Sequence, residues 1–231
     1  MKKFYVAVGL FKLNRKDSNK PFPTVILSGK ECKLDLQEMT VWTSLNWKIL
    51  TLDELTMFYN ERESRYNLIC SRSLEETIER LIVRGLIAEG IGDTDEEALY
   101  NLISNLYIIP LHQSLAMRIL SFLRLTLLHN ISYKKAKAVF EYDKKSNSEK
   151  KIMNLAFSAP MSTAEIIKCV DKKINCILSE DDVVEFLYDD VTTTSENIAE
   201  TSRSLPSSTP VLSDILNLYL RRQILFEGAV I

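Results

Sequence analysis

The sequence predicts a mainly helical α+β protein in which a block of three helices closed by a short strand is used twice. Two observations lead there. Helix-start signals recur before apolar runs: Thr51-Leu52-Asp53-Glu54, Ser73-Leu74-Glu75-Glu76 and Ser162-Thr163-Ala164-Glu165 all fit the capping-box pattern. The first block ends on Arg84-Gly85-Leu86-Ile87-Ala88-Glu89-Gly90, and a similar stretch, Arg222-Gln223-Ile224-Leu225-Phe226-Glu227-Gly228, ends the second. Extending that alignment backwards pairs Ile78 with Leu216, Leu81 with Tyr219 and Ile82 with Leu220. A hydrophobic share of 46% with six Gly and six Pro agrees with an ordinary globular chain rather than a disordered one.

The elements follow in order. Residues 3–11 and 24–36 read as β-structure, the second with a turn at Ser28-Gly29-Lys30 and alternation of Cys32, Leu34 and Leu36 with charged neighbours. The polar stretch from Asn14 to Pro23 reads as a loop. From Gln37 the period changes, and Met39, Trp42 and Leu45 predict a helix ending near Trp47. A second helix opens at Thr51, a polar interval from Tyr59 to Ser71 follows as loop, and a third helix runs from Ser73 to a stop at Gly85. Residues 86–90 form a short strand. Two further helices are expected over 94–108 and 111–129, the latter apolar nearly all round and therefore buried in a core or a subunit interface.

The second block is expected to use a helix near Ser148–Phe157, the helix opened by Ser162, and a third capped by Thr209 with Pro210 in its first turn. Between its second and third helices lies an insertion, 179–206, acidic and then Ser/Thr-rich. The predicted organisation is 1–95 for the N-terminal strands and first unit, 96–147 for a central helical connector, and 148–231 for the second unit with its insertion.

The formal charge of −2 excludes a broad field that would gather polyanions. The four cysteines form no CxxC pair and the only histidines are His112 and His129, so no metal or cofactor is expected. The apolar start, Phe4–Phe11, is too short for a secretory signal and lacks a cleavage site, and the apolar region 102–128 is interrupted by Asn105, His112, Arg118 and Arg124. A cytoplasmic protein without a membrane span is the expectation. No phosphate-binding loop, nucleophile elbow or HExxH motif occurs, and no enzyme is expected.

With its helices placed, the chain resembles a tandem winged-helix protein over 37–90 and 148–231, and most such units belong to transcription regulators. That resemblance implies a third helix in the major groove of DNA with Lys or Arg on phosphates. Carried onto this chain, the implied contacts are Arg72, Arg80 and Arg84 in the first unit and Arg221 and Arg222 in the second. The basic segment 133–151, with Lys134, Lys135 and Lys137, is a further nucleic-acid candidate. Glu75, Glu76 and Glu79 on the first third helix would oppose phosphates. Residues 24–90 also resemble the PqqD-like peptide-recognition domain, through Val25-Ile26-Leu27, Gly29, Leu34–Leu36, Trp42, Glu54-Leu55 and Leu81–Ile87. There a precursor peptide adds as a strand to the small sheet and lies along the third helix. The expected function is a DNA-binding transcriptional regulator. The alternative is peptide or protein recognition, and helix 111–129 is expected to be either a homo-oligomer surface or a hub that packs both units together.

Overall fold

The computed structural model describes residues 1–14, 22–66, 72–111, 145–175, 177, 179–189 and 192–228. Helix 111–129 and Lys134, Lys135 and Lys137 lie outside these residues, apart from Leu111. Among the described residues the fold is mixed α+β, with three small antiparallel sheets set among helices.

The N-terminal apolar run is two strands rather than one. β1 (Lys2–Ala7) and β2 (Leu10–Asn14) are separated at Gly9, whose φ of 90° and close approach to the Ile26 carbonyl leave no room for a side chain. β2 pairs with β3 (Phe22–Leu27), so the expected Asn14–Pro23 loop is strand at both ends. β3 turns at Ser28-Gly29 into β4 (Lys30–Lys33). The alternation that suggested a strand through Leu36 stops early. Asp35 caps a helix, α1 (Leu36–Leu45), with its side chain accepting from the Glu38 amide and Glu38 reaching back, and Leu36 is exposed.

β5 (Ile49–Leu50) leads through the Thr51–Glu54 cap into α2 (Leu52–Tyr66). This helix continues through much of the polar stretch expected to be loop. Tertiary bonds sustain it: Gln37 donates to the Tyr59 hydroxyl at 3.1 Å and Arg62 to the Thr43 hydroxyl at 2.5 Å. α3 (Leu74–Val83) and β6 (Ile87–Gly92) follow.

The helix expected over 94–108 is α4 (Asp95–Ile103) and then a strand, β7 (Tyr107–Pro110). The second half consists of α5 (Asn147–Ser158), α6 (Thr163–Asp171), α7 (Glu180–Leu187), α8 (Ile198–Arg203), α9 (Ser208–Leu220) and β8 (Ile224–Glu227). The Thr209 cap is displaced: α9 starts at Ser208, and the Thr209 hydroxyl bonds Glu96 of α4 instead. Pro210 still sits in the first turn, where a missing N–H costs nothing. α7 and α8 lie in the acidic insertion, and α7 is docked on α6. Lys168, buried, donates to the Leu187 carbonyl at 2.6 Å, and Tyr188 donates to Glu165 at 2.8 Å.

The sheets carry the correspondence between halves. β1 lies between β5 and β6, with Tyr5 opposite Leu50 and Ala7 opposite Ile87. β7 pairs with β8, with Pro110 opposite Ile224, and the Ile108 amide donates to the Met161 carbonyl just before α6. Each half therefore has a strand preceding its helices that lies between a segment before the second helix and a strand after the third.

The third-helix ends match in detail. Arg84 and Arg221 are the C-caps, at φ −81° and −83°, and Gly85 and Arg222 follow in the left-handed region at φ 69° and 59°. Gly85 bonds the Ile82 carbonyl and Leu86 that of Leu81; Arg222 bonds Tyr219 and Gln223 bonds Leu218. These are Schellman bonds, satisfying the last carbonyls of each helix. They shift the correspondence by one residue from that read in the sequence, pairing Gly85 with Arg222 and Ile82 with Tyr219.

Arg222 holds a backbone conformation that costs a residue with a Cβ about 1 kcal/mol or more. Replacing Arg222→Gly is expected to raise unfolding free energy by roughly 0.5–1 kcal/mol, and Gly85→Ala to lower it by about 1 kcal/mol. Urea denaturation of the two variants checks both signs.

Candidate interaction surface

The outward face of α3 was the sequence-derived contact surface, and it is open to solvent: Glu75, Glu76, Glu79, Arg80 and Val83 are exposed while Thr77, Ile78 and Leu81 pack inward. The cations expected there have other partners. At the start of α1, Glu38 is only 2% exposed on its side chain, and it accepts from Arg80 Nε at 2.7 Å and Arg84 Nη1 at 2.8 Å. Arg84 also donates to the Lys33 carbonyl at 2.6 Å. Arg72 pairs with Asp35, the N-cap of the same helix. Two carboxylates at the N-terminus of α1 thus engage all three arginines nominated in the first half. A carboxylate this buried needs such partners, because an unpaired charge there would cost several kcal/mol.

The second half repeats the device. Ser146 and Glu149 cap α5 as Asp35 and Glu38 cap α1, and Glu149, 4% exposed, accepts from Arg221 at 3.2 Å. Arg222 is exposed beside it. α9 offers no cation of its own: between Ser208 and Leu220 its only charged residue is Asp214.

Asp35, Glu38 and Glu149 were not nominated from sequence, although Asp35-Leu36-Gln37-Glu38 and Ser146-Asn147-Ser148-Glu149 spell the capping-box spacing.

A groove of about 420 Å³ runs beside α3, lined by Lys3 and Tyr5 of β1, Leu52, Glu89 of β6, and Glu75, Ile78, Glu79, Ile82 and Val83. Its floor is apolar and its rim carries three carboxylates against one ammonium, Lys3, which pairs with Glu89 at 2.7 Å. The contact with Glu89 raises the Lys3 pKa and keeps the group charged.

Among the described residues no group of three or more His, Cys, Asp or Glu could hold a metal ion, and no helix is long and apolar enough to cross a membrane. Cys169 is buried, and burial pushes its thiol up to about 12, away from thiolate chemistry. In comparisons with known proteins, no family model matches the chain, and neither a curated protein nor a solved structure does.

Asp35 links this network to pH. Burial works against its charge, but the Glu38 amide and the Arg72 guanidinium outweigh it and hold the carboxyl below its usual range. A depressed folded-state pKa contributes stability above the unfolded value, about 3.9, that is lost as pH falls through the folded one. The urea midpoint of the wild type is expected to drop more steeply below about pH 4 than that of Asp35→Asn, which keeps a capping side chain without the titration.

Proposed function

We propose that this chain is a non-enzymatic recognition protein, built from two winged-helix-like units, whose target is a polypeptide rather than DNA. One observation carries the choice. The outward faces of both third helices lack uncommitted cations: Glu75, Glu76 and Glu79 dominate α3, Arg80 and Arg84 bond Glu38, and α9 carries only Asp214. A helix set on phosphates with that charge would lose affinity steeply at physiological salt. A polypeptide meets no such penalty.

The winged-helix assignment rests on the shared order of elements and on the matching cap geometry at Arg84-Gly85 and Arg221-Arg222. The PqqD-like resemblance is supported by the joint between the small sheet and the third helix, where Arg84 ties the C-terminus of α3 to Lys33 at the end of β4. DNA is the second reading. It rests on the run of Lys134, Lys135 and Lys137, and self-association through 111–129 is compatible with either target.

Fluorescence anisotropy against double-stranded DNA across salt concentrations separates the two. The expected result is no binding beyond about the 10⁻⁴–10⁻⁶ M typical of non-specific contacts, unchanged by Arg80→Ala. Tight, salt-sensitive binding lost in Lys134→Glu would instead establish the DNA reading.

A further inference from the structure

The matched cap geometry sets the two halves in register, so the groove beside α3 has a counterpart in the second half. Tyr5 corresponds to Ile108, Glu75 to Leu212, Ile78 to Ile215, Ile82 to Tyr219 and Glu89 to Phe226, by strand register and by the third-helix caps. In the second half this surface is covered. Ile108, Ile215 and Phe226 are fully buried and Leu212 and Tyr219 nearly so. The cover comes from the first half. The Trp47 ring lies 5.5 Å from that of Tyr219, and the Trp47 amide donates to the Tyr219 hydroxyl at 3.2 Å. Trp47 occupies a one-residue left-handed turn, φ 62°, and is followed by Lys48. Glu96 and Tyr100 of α4 border Thr209 and Leu212.

In the first half Tyr5 and Ile78 are likewise buried, but above them Ile82 and Glu89 are only half-buried and Glu75, Glu79 and Val83 are exposed. Val83 stands 88% exposed, and Leu220, its counterpart, is 52% exposed. Among the differences between the two faces, three replace an apolar side chain with a carboxylate. Where the covered face carries Leu212, Leu216 and Phe226, the open one carries Glu75, Glu79 and Glu89. An apolar floor of Tyr5, Ile78 and Ile82 thus has a carboxylate rim, of which Lys3 offsets one charge.

We propose that this groove binds a segment of a partner polypeptide in which an aromatic side chain is flanked by Lys or Arg. The aromatic ring enters over Ile82 as Trp47 does over Tyr219, and the flanking cations meet Glu75 and Glu79. A volume of about 420 Å³ accommodates one large side chain with the backbone that carries it. Buried aromatic anchors ringed by polar contacts are the usual source of affinity at such sites. This rests on the polypeptide-recognition reading and names its target chemistry.

The test is selection of a twelve-residue random peptide library displayed on phage against the full chain, then anisotropy with the enriched peptides. Enriched peptides should carry an aromatic residue within two positions of Lys or Arg. Val83→Glu and Glu79→Lys, both at exposed positions and so expected to fold, should each weaken binding about tenfold or more. Met57→Glu, exposed outside the groove lining, should leave it unchanged, and circular dichroism melts would confirm folding of all three.

Enriched peptides that are acidic, or that bind the Val83→Glu and wild-type chains equally, would overturn the groove while leaving polypeptide recognition standing. Failure to enrich any peptide would overturn both. A wild-type dimer in sedimentation that Val83→Glu dissociates would show the occupant to be a second copy, and would overturn the partner proposed.

Discussion

β1 is the constraint on which the two halves depend. Its side chains alternate, as every strand's must, but here neither face meets solvent over the middle of the strand. Tyr5 and Ala7 belong to a core completed by α1, α2 and α3, with Trp42 and Leu81 at its centre. Val6, and Val8 just past the strand, belong to another, shared with α4, α5, α6 and α9. The strand continues this role at its end. The Gly9 amide donates to the Phe226 carbonyl at 2.8 Å, and the Trp42 indole donates to Val8 at 3.2 Å. A polar residue at Val6 or Val8 would disturb a core that holds most of the second half, with Leu27, Trp47, Ile49 and Ala88 packed against it from the first.

The buried carboxylate at the start of each first helix is a second organising feature. Glu38 and Glu149 are both N3 residues of capping boxes, so each accepts at the helix N-terminus and also receives a guanidinium from the end of the third helix. One residue therefore completes a cap and ties two helices together. The arrangement explains why arginines recur near the third-helix ends without any need for a phosphate. Their spacing answers to an internal acid on another element.

Much of the helical order was legible in sequence, because capping boxes and cap residues act locally. Ser73, Ser162 and Thr51 all mark real starts. The failures have a common cause. The alternation of Cys32, Leu34 and Leu36 imitates a strand, yet Leu36 is 55% exposed and the local cap at Asp35 prevails. Residues 60–66 look like loop because their helix is held by distant groups such as Thr43. Tyr107-Ile108-Ile109 is a short apolar run that periodicity cannot separate from the end of a helix, and only its partner β8 makes it a strand. Of the surface, the cations could be found but not their carboxylates, which lie on a different helix. The groove was invisible for the same reason: Lys3, Leu52, Ile82 and Glu89 come together only through the sheet.

The placement of each middle strand ahead of its helices bears on how the protein is made. β6 closes against β1 only after the three intervening helices have been synthesised; β7 waits still longer for β8. Such pairings raise contact order and slow folding. The face formed by Val6 and Val8 must also wait for the second half to finish its core. During translation that face is an apolar surface without its complement, and transiently exposed surface of this kind favours aggregation.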